Sequence, residues 1–219
     1  RIRIMGCLKY DVFIDLIRES NIIKKELIIK YKLLKKNLIL LAPSIDDSKH
    51  ILTMISNLGN DKKNIIMLNP HPATDVEQIK LQQKEICPNI KINYVLNETT
   101  YNLLTVAKLV VCGYSTVAIE AALFGVRSVR VVPLGSFPLF DYEELIPTFH
   151  SPIHFKKWFE NQNWGKEIKG AEKNQLLSLA KKYFYKTDGK ATDRLWAFIK
   201  EQTSTTQDII DPNNSFTIN

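Results

Sequence analysis

No apolar run in this chain approaches the ~20 residues that cross a bilayer as a helix. Arg1 to Gly6 is too short for the apolar core of a secretory leader and has no small-residue cleavage site after it. Cysteine is scarce. Cys7, Cys87 and Cys112 share no metal-ligand spacing, and three thiols leave one over in any pairing, which argues against a disulfide framework and for a reducing compartment such as the cytoplasm. There is no G-x-G-x-x-G fingerprint and no P-loop, which disfavours classical dehydrogenases and P-loop NTPases. There is no zinc-finger, RRM or KH signature, so the net charge of +7 has no nucleic-acid motif behind it. No internal repeat is visible. Methionine does not precede Arg1, and a fragment of a longer protein is expected.

The composition, 45% hydrophobic and 24% charged, suits a globular protein with a sizeable core. The basic excess is mostly lysine. Lys24, Lys25, Lys30, Lys32, Lys35 and Lys36 crowd one stretch whose other side is Leu and Ile. Such a helix face is either solvated or drawn to an anionic membrane leaflet.

Arg1 to Met5 alternates and predicts a strand, with helices over 11–18 and 22–34 after it. Strands and helices then take turns. Strands are expected at about 37–42, 64–68, 91–95, 107–112 and 127–132, and helices at about 47–58, 74–86, 99–105 and 116–124. The strands are continuous apolar runs, as in Asn37-Leu38-Ile39-Leu40-Leu41-Ala42. Both faces are therefore covered, which predicts an α/β fold, a Rossmann-like parallel sheet with helices on both faces. Helices at about 140–146, 153–161, 170–185 and 190–201 form a helical C-terminal extension, and the polar tail from Thr203 reads as loosely ordered.

Loops that leave the C-terminal ends of parallel strands share one edge, where such sheets bind ligands. Three polar loops do so here. The first contains Ser44 and Asp46-Asp47, read as a helix start. The second, Asn69-Pro70-His71-Pro72, holds a histidine between two prolines that restrict the backbone and so aim the imidazole. The third, Gly113-Tyr114-Ser115-Thr116, runs from an apolar strand directly into a helix. Amides at a helix start lack partners within the helix, so Ser115, Thr116 and the main chain there offer donors to a phosphate. The alternative is a plain N-cap. Glu120, one turn further on, is placed to accept from a ribose diol. Pro133 to Pro138 forms an irregular loop on the same edge, suited to closing over a base or sugar. Cys112 reads as a small core residue, with a lowered thiol pKa the other option so close to a helix start.

With these motifs in this order, the chain resembles the C-terminal, nucleotide-binding half of GT-B glycosyltransferases. It is most similar to the bacterial surface-polysaccharide group: CDP-glycerol glycerophosphotransferases, sialyl- and polysialyltransferases and Kdo transferases. Those families carry a His-Pro motif and a Ser-Ser or Ser-Thr motif, matched here by His71-Pro72 and Ser115-Thr116. The resemblance covers about residues 4 to 201, with the hinge at Gly6 to Asp11 and the final helix starting at Asp188 to Arg194. It implies a donor site of Ser44, His71, Pro72, Gly113, Tyr114, Ser115, Thr116 and Glu120, with His71 as the catalytic group at the leaving phosphate. It implies a CMP-, CDP- or UDP-linked sugar donor, a glycan or lipid-linked acceptor held by a missing N-terminal half, and a cytoplasmic protein, with peripheral inner-leaflet contact as an option left open. No cofactor is expected, and no metal, since there is no Asp-x-Asp motif. Residues 1–36 then close the preceding half and its hinge, 37–201 form the nucleotide-binding domain and 202–219 a tail.

Two alternatives stay open at this point: a hydrolysing UDP-N-acetylglucosamine 2-epimerase, which shares the plan but usually has a Ser-Gly-Gly type loop, and a non-catalytic binding or assembly module that kept the fold. His50, His150 and His154 are further titratable candidates. His150 and His154 do not make a metal pair, because Pro152 starts a helix that leaves His150 outside it. Trp158, Phe159, Trp164, Tyr183, Phe184 and Tyr185 are expected in a helical core.

Overall fold

The computed structural model describes residues 2–136, 145–164 and 168–207. It divides into two compact units, one from Leu16 to Tyr183 and one that joins the chain start, through Asp15, to the segment from Phe184 onward.

The larger unit is built on a six-stranded sheet: β1 (Asn37–Leu41), β2 (Asn64–Leu68), β3 (Ile92–Tyr94), β4 (Ala107–Cys112), β5 (Arg127–Val131) and β6 (Thr148–Phe149). The order is β3-β2-β1-β4-β5-β6, and every neighbouring pair is parallel. Five of these strands are the apolar runs expected from the sequence. The sixth, two residues long, was too short to carry a pattern.

The connecting helices are α2 (Ser48–Ile55), α3 (Val76–Ile86), α4 (Thr100–Leu104) and α5 (Val117–Leu123), followed by α6 (Pro152–Glu160) and α7 (Ala171–Phe184). Ile39, Leu41, Ile66, Leu68, Leu109, Val111, Val129 and Val131 share one buried cluster with Ile51, Leu52, Met54 and Ile55 of α2 and with Phe155 and Phe159 of α6. The alternate positions Leu38, Leu40, Met67, Val110 and Cys112 are buried as well, so the sheet is covered on both sides. Crossovers from β1 run outward to β2 and β3, and from β4 to β5 in the opposite direction. Right-handed connections then place α2 and α3 on one face and α5 on the other. Trp158 and Trp164 join the aromatic cluster around Phe155 and Phe159, as the aromatic pattern suggested.

Local signals explain the boundaries. The Asp75 side chain caps α3 by accepting from the amides of Glu77 and Gln78, and Thr99 caps α4 through Asn102. Pro152 opens α6 with His150 outside it. Gly125 closes α5 at φ +65°, with Val126 N–H reaching Ala121 O and Gly125 N–H reaching Ala122 O.

Two expectations fail near the start of the chain. Residues 2–7 carry no strand; a 3-10 turn at Leu8–Tyr10 leads into the first helix, α1 (Asp11–Lys30). Their polar groups turn to the final helix, α8 (Ala191–Gln207): Arg194 Nε donates to Met5 O at 2.8 Å, and Arg3 pairs with Glu201. The two helices expected over 11–18 and 22–34 are one, α1 (Asp11–Lys30), which runs through Ser20-Asn21. It stops at Lys30 because Lys32 takes the left-handed conformation, φ 53°, while Leu33 N–H returns to Ile28 O and the Leu33 side chain is buried. A lysine in the place usually filled by glycine leaves no sequence signal. In the smaller unit, the Asp11 carboxylate accepts from the amides of Ala191 and Thr192 at the start of α8, at 3.0 and 2.7 Å. The expected helix over 140–146 lies largely outside the described residues, as does the tail beyond Gln207; the described part of the expected tail, 202–207, is a continuation of α8.

Candidate functional site

β1 and β4 are adjacent, and their outgoing connections diverge. A parallel sheet has its ligand crevice at such a point, beyond the strand C-termini. The register brings the three polar loops there together. Leu41 lies opposite both Leu68 and Val111, so the strand ends are level. Ser44, His71 and Ser115 follow these residues by three or four positions on three neighbouring strands, a front about 10 Å wide at the usual strand spacing.

The loop after β2 is anchored from below by Asn69, which is buried. Its Nδ2 donates to Val95 O and Glu98 O at 2.8 and 3.1 Å, and its Oδ1 accepts from Thr100 Oγ1 at 2.6 Å. His71 and Pro72 stand exposed above it. His71 Nδ1 accepts from Ala73 N at 3.2 Å, which places the proton of the neutral ring on Nε2. A donor then faces any anion that reaches Nε2.

The loops after β1 and β4 are joined by Asp47. This carboxylate is buried, accepting from Ser44 N at 2.7 Å and from Tyr114 N at 3.0 Å. It stands at the N-cap position of α2 yet makes no side-chain cap bond. Ser44 and Tyr114 thus spend their amides on Asp47. Gly113 leaves room for that carboxylate, since a Cβ there would overlap it. The Tyr114 hydroxyl donates to Ser136 Oγ at 2.6 Å, tying in the loop after β5.

Ser115 Oγ accepts from Val117 N at 3.3 Å, so its own proton is available to a ligand. Among the described residues, the amides of Ser115 and Thr116 have no protein acceptor. Thr116 Oγ1 donates to Glu120 Oε1 at 3.1 Å. Glu120 itself has no exposed surface. It holds the Thr116 hydroxyl, and its enclosure keeps it from a ribose in this conformation. Cys112 is also enclosed, and burial pushes its thiol up to about 12; Asp47 adds to this and Arg130 opposes it. The alternative of a lowered, reactive thiol is therefore corrected.

His150 Nδ1 donates to Val132 O at 2.8 Å just past β5. Burial holds the His50 imidazole below its ordinary value, against the opposing influence of the Val132 carbonyl and Asp47 and with that of His150. Among the described residues, no group of three His, Cys, Asp or Glu side chains is placed to hold a metal ion. Nor is any described helix long and apolar enough to cross a membrane. In the lysine-rich stretch, Lys30 is engaged by Glu98 at 2.5 Å.

No protein-family model matches the chain, and no curated protein matches its sequence. Solved structures do match. A variant of the wall teichoic acid polymerase TagF soaked with CDPG aligns at TM-score 0.59 and 16% identity, over 94% of this chain and 52% of that one. The chain has the fold of a GT-B half. Anabaena HepE in complex with UDP-glucose aligns at TM-score 0.54 and 13% identity over 80% of this chain and 52% of that one. Staphylococcus aureus MnaA with UDP aligns at 0.55 and 11%, over 80% and 48%. This GT-B half thus spans about half the length of the structures it matches.

Sequence reasoning missed three residues that build the crevice: Asp47, Asn69 and Arg130. Arg130 offered a signal. An arginine inside Val129-Arg130-Val131-Val132, on a sheet read as covered on both faces, has nowhere to go but the interior.

Proposed function

We propose that this GT-B half is the donor-nucleotide-binding part of a glycosyltransferase of surface-polysaccharide biosynthesis, taking a CMP- or CDP-linked donor and working without a metal. The observation that carries the reading is the level convergence of the His71, Ser44 and Ser115 loops at the divergence of β1 and β4. Its neighbours of like fold, solved with CDPG, UDP and UDP-glucose, support nucleotide-linked ligands as the class.

Transfer breaks the bond between the donor's transferred group and its phosphate, and negative charge grows on the departing phosphate oxygen. Donors already in place there act on the transition state more than on the bound substrate. His71 Nε2–H, the Ser115 hydroxyl and the Ser115 and Thr116 amides are those donors. Pro72 restricts the His71 backbone, Gly113 and Asp47 shape the loop, and Tyr114 with Ser136 borders it. The acceptor hydroxyl, a glycan or lipid-linked group, and the base that takes its proton belong to a second half, so this chain alone binds donor without completing transfer. The protein works at the cytoplasmic side of the membrane, with the lysine-rich stretch as a peripheral contact.

Isothermal titration with CMP, CDP, UDP and inorganic phosphate tests this, repeated on His71→Ala and Ser115→Ala. Selective binding of CMP or CDP, weakened at least ~10-fold in either variant, is expected, since charge-assisted hydrogen bonds of this kind contribute about 1.5–3 kcal/mol. Preference for UDP moves the reading to the UDP-dependent relatives of this fold. No binding by the folded chain overturns it.

A further inference from the structure

Arg130 is the largest polar side chain in the interior, 1% exposed. It lies directly across from Cys112 in the β4–β5 register, on the face where Ser128 Oγ bonds Ala118 O of α5. Its Nε makes one long bond, 3.4 Å, to Gly113 O, and its buried Nη2 has no partner among the described residues. A guanidinium so placed is costly unless opposite charge is close. Two carboxylates, Asp47 and Glu120, are buried as well. Asp47 holds the Ser44 and Tyr114 amides just above Gly113, and Glu120 projects from α5 with the Thr116 hydroxyl. Both carboxylates and Arg130 act electrostatically on the same Cys112 thiol, with opposite sign.

The crevice therefore holds a difficulty for any phosphate: its loops are joined by a buried negative charge. We infer that Arg130 is a positioning residue that carries the Gly113 carbonyl and supplies the positive charge letting Asp47 and an incoming phosphate share the crevice. This rests on the donor-site reading above for its ligand, but the Arg130–Asp47 coupling is testable without one. The guanidinium acts from beneath the loop. It neutralises the carboxylate that links the β1 and β4 loops, so the exposed donors of Ser115, Thr116 and His71 meet a phosphate without net repulsion.

The test is a double-mutant cycle on the full chain, with Arg130→Met, Asp47→Asn and their combination, and with Arg130→Lys to keep the charge in a different shape. Titration with the nucleotide that the wild type binds gives the first readout. Arg130→Met is expected to bind at least ~10-fold more weakly, Arg130→Lys within ~3-fold of wild type, and the Met substitution to cost under ~3-fold once Asp47 is Asn, because contacting charges couple and distant ones add. Equal loss in Lys and Met, or the same Met penalty in both backgrounds, overturns the inference and leaves Arg130 as packing alone. Urea unfolding of the four cycle variants gives the second readout, without ligand. The midpoint shift from Arg130→Met is expected to be larger with Asp47 than with Asn, and equal shifts overturn the coupling. A wild type that binds no nucleotide removes the donor-site reading, and the urea cycle then decides Arg130 by itself.

Discussion

The Asp47 carboxylate occupies the space that a side chain at residue 113 would need. A Cβ built on Gly113 stands 2.9 Å from Asp47 Cγ and closer still to Oδ2. Gly113 is there for a neighbour from another loop, and its backbone φ does not require glycine. Through that vacancy Asp47 reaches Tyr114 N, and the β1 and β4 loops become one surface.

Gly113→Ala is accordingly expected to push Asp47 off Tyr114 and to destabilise the chain by about 1–3 kcal/mol, the usual cost of overpacking a tight site. Urea unfolding measures it. Gly113→Ala combined with Asp47→Ala is expected to cost less than the two single changes summed, because the clash has gone; strict additivity would place the cost elsewhere.

Asn69 carries the His71 loop. Asn69→Ala strips the buried carbonyl of Val95 and the part-buried one of Glu98 of a donor and Thr100 of an acceptor. A loss of about 2–3 kcal/mol is expected, in the range for leaving buried partners unsatisfied. Nucleotide affinity should fall with it although Asn69 is itself buried, and unchanged affinity in the folded variant would free His71 from this anchor.

Thiol accessibility reads the core directly. Cys7 is exposed; Cys87 and Cys112 are buried, with burial pushing their thiols up to about 11 and about 12. At pH 8 an aromatic disulfide reagent should titrate one thiol rapidly in the native chain and all three in denaturant, since the thiolate is the reactive form. A second fast thiol would mean that the sheet is open at one of these positions.

Asp11 links acid to the smaller unit. Burial works to raise its carboxyl, but the amides of Thr192 and Ala191 and the nearby Arg194 charge outweigh it and hold the group below its ordinary value. Its contribution is therefore full above the ordinary carboxylate range and fades as pH falls through the lowered folded value. Asp11→Ala should cost about 1 kcal/mol at neutral pH, as for other lost helix caps, and the gap to wild type should close in acid. Denaturation at pH 7 and pH 3 checks the sign.

The strands were legible because apolar runs of five or six residues flanked by turn residues admit few other readings, and their alternation with helices implied a parallel sheet with its loops on one edge. Ser44, His71 and Ser115 could be singled out on that edge from residue type alone. Where the backbone departs from its usual residues, the sequence was silent: Lys32 ends α1 in a conformation that glycine normally supplies, and Ser20-Asn21 stays helical inside a longer element.

By itself, then, the sequence determined the layers and the edge that carries the polar loops, since hydrophobic period and turn chemistry are local properties. Only the tertiary structure decided what each polar group on that edge is for. Asp47 and Gly113 are 66 residues apart, and Asp47 looks like a helix start until register places it beside Tyr114 N. Glu120 looks exposed until α5 packs on β4 and β5 and encloses it. Arg130 is enclosed opposite Cys112 only once β4 and β5 pair. Burial and partnership arise from long-range packing, and a charge's chemistry depends on both.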